Sequence, residues 1–176
     1  MAHVAVVEGR PGIVGLLEGY PETGVLLNGL AQALLRADDG LSPAERELIA
    51  AHVSSLNRCV FCTSAHAAAA RHLLGDAATV QALTCDGGDL QVSPRLRALL
   101  AVAARVQRGG REVSDDDVRA ARAEGATDRE IHDTVLIAAA FCMYNRYVDG
   151  LATWAPDDPA AYDEIGAHLA AHGYGG

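Results

Sequence analysis

At 176 residues, half of them apolar and only 5% aromatic, the chain can build one domain with a real hydrophobic core. Its formal net charge is −9, every basic side chain other than histidine is arginine, and no basic stripe appears, which argues against nucleic acid or an anionic membrane as partner. No apolar run reaches the roughly 18 residues that a bilayer span needs, and residues 1–8 lack the regions of a signal peptide, so a cytoplasmic protein is expected.

Alanine and leucine dominate, and alternating runs of Val, Ile, Thr and Tyr are nearly absent. That composition favours helix over sheet. The expected fold is all-α, with about six to eight closely approaching helices in a single domain over residues 1–176. Residues 155–176 form a C-terminal helical extension in this reading.

In chain order, residues 1–10 give no strong signal. Pro11-Gly12 opens a short helix that breaks at Gly19-Tyr20-Pro21. Residues 22–37 follow with Val25, Leu26, Leu30, Ala33, Leu34 and Ala37 at helical spacing. Ser42-Pro43-Ala44-Glu45 is a capping box with proline at the first helical position. The helix that it starts is expected to reach Leu56, with Leu48, Ile49, His52, Val53 and Leu56 on its core face. Glu45 has a structural job in the cap. Glu47 lies with Ala50, Ala51 and Ser54, a small-residue face on which another helix can close and bury the carboxylate.

Asn57-Arg58 reads as a break, and a further helix runs from near Cys59 to Gly75. Residues 76–92 read as a short helical piece and a loop over Cys85–Asp89. Ser93-Pro94 starts a helix with Leu96, Leu99, Leu100, Ala103 and Val106 inside, ending at Gly109-Gly110. It echoes Ser42-Pro43 at a distance of 51 residues. Ser114 caps a short helix. Thr127-Asp128-Arg129-Glu130 is another capping box, opening a helix through Ile131, Val135, Ile137, Ala138, Phe141 and Met143 to about Gly150. After the Trp154–Pro159 linker, residues 160–171 form a last amphipathic helix, whose exposed apolar face suggests self-association.

The chemistry concentrates between Glu47 and His66. On one helix, Cys59, Cys62 and His66 share a stripe at 3.6 residues per turn. A helix start near Cys59 brings unpaired backbone N–H groups and the positive dipole end to the thiols, which favours thiolate. His66 can take a proton from Cys62, directly or through water, and Glu47 can orient or recharge His66. This is a nucleophile–base–orienter arrangement. Taken singly, each residue has a plainer reading: packed cysteines, a satisfied core histidine, an ordinary helix carboxylate. Zinc is the competing reading, with Cys59, Cys62 and His66 as ligands and Glu47 or Cys142 as a fourth. No second pair at finger spacing accompanies them, and the chain is large enough to fold without metal, so no metal and no cofactor is expected.

The stretch Leu41–Ala50, then Ser55-Leu56-Asn57-Arg58-Cys59-Val60-Phe61-Cys62-Thr63-Ser64-Ala65-His66, resembles the carboxymuconolactone decarboxylase / alkylhydroperoxidase AhpD-like superfamily. Tyr144-Asn145-Arg146-Tyr147-Val148-Asp149-Gly150-Leu151 resembles the Asn-Arg-x-x-Asp helix end of its peroxidase-related branch. The resemblance implies an all-helical protein assembling as a homotrimer or homohexamer. It implies that Cys62 attacks a hydroperoxide, that Cys59 resolves the sulfenic acid as a disulfide, and that His66 and Glu47 relay the proton. A dithiol, protein or small molecule, would be the reductant. AhpD itself carries a further histidine beside its second cysteine, where this chain has Phe61. That substitution makes the approach to Cys62 apolar, so Phe61 and His52 are assigned to the substrate pocket and an organic hydroperoxide is favoured. The alternatives are a decarboxylase-like enzyme for a small anionic lactone, with Arg58 or Arg146 as the cation, and a non-catalytic helical oligomer.

Overall fold

The computed structural model describes residues 2–75 and 92–175, and among them it contains eight α-helices, a single 3-10 turn and no strand. The helices are α1 (Gly12–Gly19), α2 (Pro21–Leu35), α3 (Pro43–Leu56), α4 (Val60–Leu74), α5 (Pro94–Arg108), α6 (Asp115–Ala123), α7 (Asp128–Gly150) and α8 (Pro159–His172). The expected helical piece and loop at 76–91, with Cys85, lie outside the described residues. None of the helices is long and apolar enough to cross a membrane.

The starts obey the local chemistry that the sequence displays. Ser42 accepts from the Glu45 backbone N–H while Glu45 accepts from the Ser42 backbone N–H, closing the capping box of α3. Ser114 with Asp117, and Thr127 with Glu130, make the same reciprocal pair at α6 and α7. Such caps contribute about 1 kcal/mol each. Ser93 caps α5, whose Leu96, Leu99, Leu100, Ala103 and Val106 are all buried.

At the centre α3 and α4 form a hairpin. Helices α5 and α7 pack on α3, and α8 packs on α4. The small-residue face of α3 does what its composition suggests: Glu47, Ala50, Ala51 and Ser54 are fully buried. Arg46 is also buried, and its guanidinium donates to the carbonyls of Leu34, Asp39 and Leu41 and to Asp133 on α7. Four acceptors offset the desolvation of that charge and fix α3 against its neighbours.

Three expectations need correction. In α2 the buried residues are Gly24, Ala31, Leu34 and Leu35, while Val25 and Leu26 are 70% and 72% exposed. The reason is close docking: a Cβ on Gly24 would sit 2.1 Å from the Leu17 carbonyl oxygen, so α2 meets α1 along its glycine and turns Val25 and Leu26 outward. In α3, Leu56 is exposed, and in α7 so is Met143, because each helix buries only part of its apolar stripe. The third correction is α8. Its face is not left for a partner; α8 lies on α4 so closely that a Cβ on Gly166 would come within 2.5 Å of Ala68. A Gly166→Ala protein should therefore lose about 2–3 kcal/mol of stability through overpacking. Urea unfolding checks this, and an unchanged midpoint would mean that α8 is not held against α4.

The α3–α4 turn positions the site. Cys59 N–H donates to the Ser54 carbonyl and Arg58 N–H to that of Ser55, the paired bonds of a Schellman ending. The residue in the left-handed conformation is Arg58, with φ 61°, and not Asn57, which stays helical. A side chain there costs on the order of 1 kcal/mol relative to glycine. The turn delivers Cys59, extended, as the N-cap of α4.

Candidate functional site

Cys62 falls in the first turn of α4, and His66 one turn further on. Both line one cavity of about 50 Å³, together with Phe61, Phe141 and apolar side chains of α1 and α2. The volume holds a water-sized or small peroxidic group, not a large substrate. Cys59 and Cys62 are both free thiols, buried with Phe61, Ala65, Val148 and Tyr162 in a small apolar cluster of their own. Phe61 packs beside Gly12, where a Cβ would meet its ring at 2.2 Å. His52, in contrast, does not line the cavity; it is half-buried on α3, and burial disfavours its charged form.

Behind the cavity stands a carboxylate with its partners. Glu47 is fully buried at the α3–α4 contact, and its Oε2 lies 2.7 Å from His66 Nδ1. Its Oε1 accepts from Arg36 Nη1 at 2.7 Å and from the Tyr174 hydroxyl at 2.7 Å. Burial alone would push the Glu47 carboxyl up, yet His66, Arg36 and Tyr174 together hold it below the usual carboxylate range. Glu47 is therefore ionised and accepts the Nδ1 proton of His66. In the neutral imidazole with its proton on Nδ1, Nε2 is the ring nitrogen that can serve as base. Phe141 meets the imidazole edge-on with ring centroids 4.6 Å apart, which keeps the ring in place.

The thiol electrostatics differ from expectation. A hydrogen bond with the Cys59 side chain, burial and the nearby negative charge of Asp149 push the Cys62 thiol up, and a hydrogen bond with Asn145 offsets only part of this. The dipole end of α4 is outweighed because both sulfurs are withdrawn from water and share one site. Cys62 therefore rests as a thiol, and a base has to take its proton when it reacts.

Sequence reasoning missed three members of the site. Arg36, at the end of α2, carries no motif. Tyr174 follows α8 in a glycine-rich segment and reaches back to Glu47 and to His66 Nδ1, at 3.2 Å. Asn145, visible only within the Asn-Arg-x-x-Asp pattern, is buried, donates to Ser54 and accepts from Asn57, and Asn57 in turn accepts from Gln107. Arg146 and Arg58, the cations considered for a lactone, are exposed and outside the cavity lining. Among the described residues no three His, Cys, Asp or Glu side chains gather as a metal site.

Comparison with solved structures places this fold among known proteins. The chain is similar to an uncharacterized peroxidase-related protein with an alkylhydroperoxidase AhpD core from Ralstonia eutropha JMP134, with a TM-score of 0.80 and 27% identity over 89% of this chain and 81% of the other. It is similar to an uncharacterized peroxidase-related protein from Silicibacter sp. TM1040, with a TM-score of 0.76 and 31% identity over 85% and 78% of the two chains. A protein of unknown function from Agrobacterium tumefaciens, described as a putative antioxidant defence protein AhpD, shares the fold at a TM-score of 0.72 and 22% identity over 84% and 99%. No curated protein matches. The model of the carboxymuconolactone decarboxylase family matches residues 21–85 and 83–155. With the all-helical AhpD-like fold and these matches over most of its length, the chain belongs to the carboxymuconolactone decarboxylase family.

Proposed function

We propose that the protein is a thiol-dependent hydroperoxide reductase with Cys62 as nucleophile, Cys59 as resolving thiol, His66 as base and Glu47 as its orienter. The observation that carries this reading is the shared cavity of Cys62 and His66, with Cys59 against Cys62 and Glu47 behind His66. His66 Nε2 takes the thiol proton, and the Cys62 sulfur attacks one peroxide oxygen. The O–O bond breaks, and the leaving oxygen departs as alcohol or water after taking up a proton. Cys62 is then a sulfenic acid. Cys59 attacks that sulfur, water leaves, and a Cys59–Cys62 disulfide results. Two thiol equivalents from an external dithiol restore the reduced state.

The apolar lining of the cavity, Phe61 included, favours an organic hydroperoxide with a small or slender alkyl end. The lactone reading loses support because the ionisable side chains among the described residues at the cavity are Cys62, His66, Tyr144 and Tyr174, with no arginine among them. Self-association, which the family likeness implies, would cover Val25 and Leu26 on α2 rather than the already buried face of α8.

Free-thiol titration under denaturing conditions tests the proposal. One equivalent of an organic hydroperoxide should remove two thiols per chain from the wild type. The Cys59→Ser protein should not lose two. An unchanged count in the wild type would sink the proposal.

A further inference from the structure

The Glu47–His66 pair is completed from a part of the chain that lies outside the matched family region, which ends at residue 155. We infer that the segment after α8 is a working part of the site and that Tyr174 is a positioning residue, its hydroxyl fixing Glu47 against His66. This rests on the thiol reading above for its catalytic consequence, but not for its geometry.

The placement of Tyr174 is over-determined. Gly173 takes φ 70° and turns the chain back after α8, and its N–H still bonds the Leu169 carbonyl. The Tyr174 backbone N–H then donates to Gln32 Oε1 at 2.7 Å. Arg36 donates to the Leu169 carbonyl at 2.8 Å and holds its guanidinium 5.1 Å over the Tyr174 ring. That ring stacks on the His66 imidazole at an interplanar angle of 20°. Three side chains, from the end of α2, from α4 and from the tail, thus meet at one carboxylate on α3.

The direction of the protons follows. Burial and the Glu47 charge push the Tyr174 hydroxyl well above its usual range, so it remains a donor. With Glu47 ionised, the phenolic proton goes to Oε1 and the imidazole proton to Oε2. Tyr174 has a second consequence. It is the donor nearest to Nδ1, so it can support the opposite His66 tautomer only by abandoning the carboxylate, which holds it at the shorter distance, 2.7 Å against 3.2 Å. The bond to Glu47 keeps Nε2 free to act as base. Removing the hydroxyl leaves a fully buried carboxylate with one donor fewer, so protonation of Glu47 becomes easier and the acid limit of the site moves up.

The test uses two variants and two readouts. Tyr174→Phe keeps the ring and removes the hydroxyl. Gly173→Ala keeps the Tyr174 hydroxyl but places a Cβ 2.5 Å from Gln32 Oε1 and 3.3 Å from Arg36 Cγ, in a conformation that alanine rarely adopts, and so displaces the tail. The first readout is a carboxyl ¹³C titration of Glu47, with the signal assigned by its absence in Glu47→Gln. The midpoint should rise by about one pH unit in both variants. The second is the acid limb of hydroperoxide-driven thiol loss, which should move up with it. A lowered melting temperature with an unmoved Glu47 midpoint would overturn the inference and leave Tyr174 as packing. If the wild type loses no thiols to hydroperoxide, the thiol reading fails, and the carboxyl titration still decides the role of Tyr174.

Discussion

Replacing Glu47 with glutamine should destabilise the protein by about 3 kcal/mol or more, because it strips the counter-charge from a largely buried arginine. Arg36 has a side chain only 12% exposed, and Glu47 is its sole carboxylate partner among the described residues. The amide keeps the shape of the carboxylate, but it cannot accept from Arg36, Tyr174 and His66 with a full negative charge. For a chain of this size the loss should lower the melting temperature by on the order of 10 °C at pH 7. Its pH dependence has a definite sign. The folded Glu47 carboxyl lies below its ordinary value, so the stability that it contributes is complete above that ordinary value of 4.5 and is lost as pH falls through the lower folded value. The gap between wild type and Glu47→Gln should therefore be wide above pH 4.5 and close as pH falls below it. Circular-dichroism melts across that range measure it. A gap under about 1 kcal/mol at pH 7, or one that does not close in acid, would mean that Glu47 is not held as an ion.

The same residue shows how far the sequence could be read. That Glu45 belongs to a cap and Glu47 to the interior followed from local rules: the capping box assigns one carboxylate, and a face of Ala50, Ala51 and Ser54 invites a close helix for the other. Cys59, Cys62 and His66 were legible for the same reason, since helical spacing within one element is fixed by geometry. What was not legible came from docking between elements. Nothing in the run before Arg36 says that α2 packs along Gly24 and turns Val25 and Leu26 to solvent, carrying Arg36 to Glu47. Nothing in a glycine-rich tail says that α8 lies on Ala68 and returns Tyr174 to the core. A break at Asn57-Arg58 is legible, but propensity favours the asparagine for its turn conformation. The Schellman register, set by where α3 stops hydrogen bonding, placed it on the arginine. The thiol acidity failed for a related reason. The dipole of α4 is a property of one helix, whereas the burial and the neighbouring sulfur that outweigh it are properties of the assembled core.

That reversal yields the second large effect, because Cys59 then has two jobs that one substitution can separate. In the reduced protein Cys59 is the first cause of the raised Cys62 thiol; in turnover it is the resolving group. A Cys59→Ala protein should alkylate at Cys62 faster than the wild type at pH 7, by about threefold for each tenfold gain in thiolate, because the more acidic thiolate is the weaker nucleophile. Yet it should lose its capacity for repeated hydroperoxide turnover with a dithiol reductant, since the sulfenic acid has no internal partner. Cys62→Ser should differ in both respects: neither rapid alkylation at the site nor any hydroperoxide consumption above the uncatalysed rate. Mass-resolved alkylation of the reduced proteins over pH 6–9, run beside hydroperoxide consumption, separates these outcomes. Slower or unchanged labelling of Cys62 in Cys59→Ala would mean that burial alone holds the thiol. Undiminished turnover in Cys62→Ser would move the nucleophile to Cys59. The pattern expected, a more reactive but non-recycling Cys62, requires the two sulfurs to share one buried site beside a base whose proton traffic runs back through Glu47.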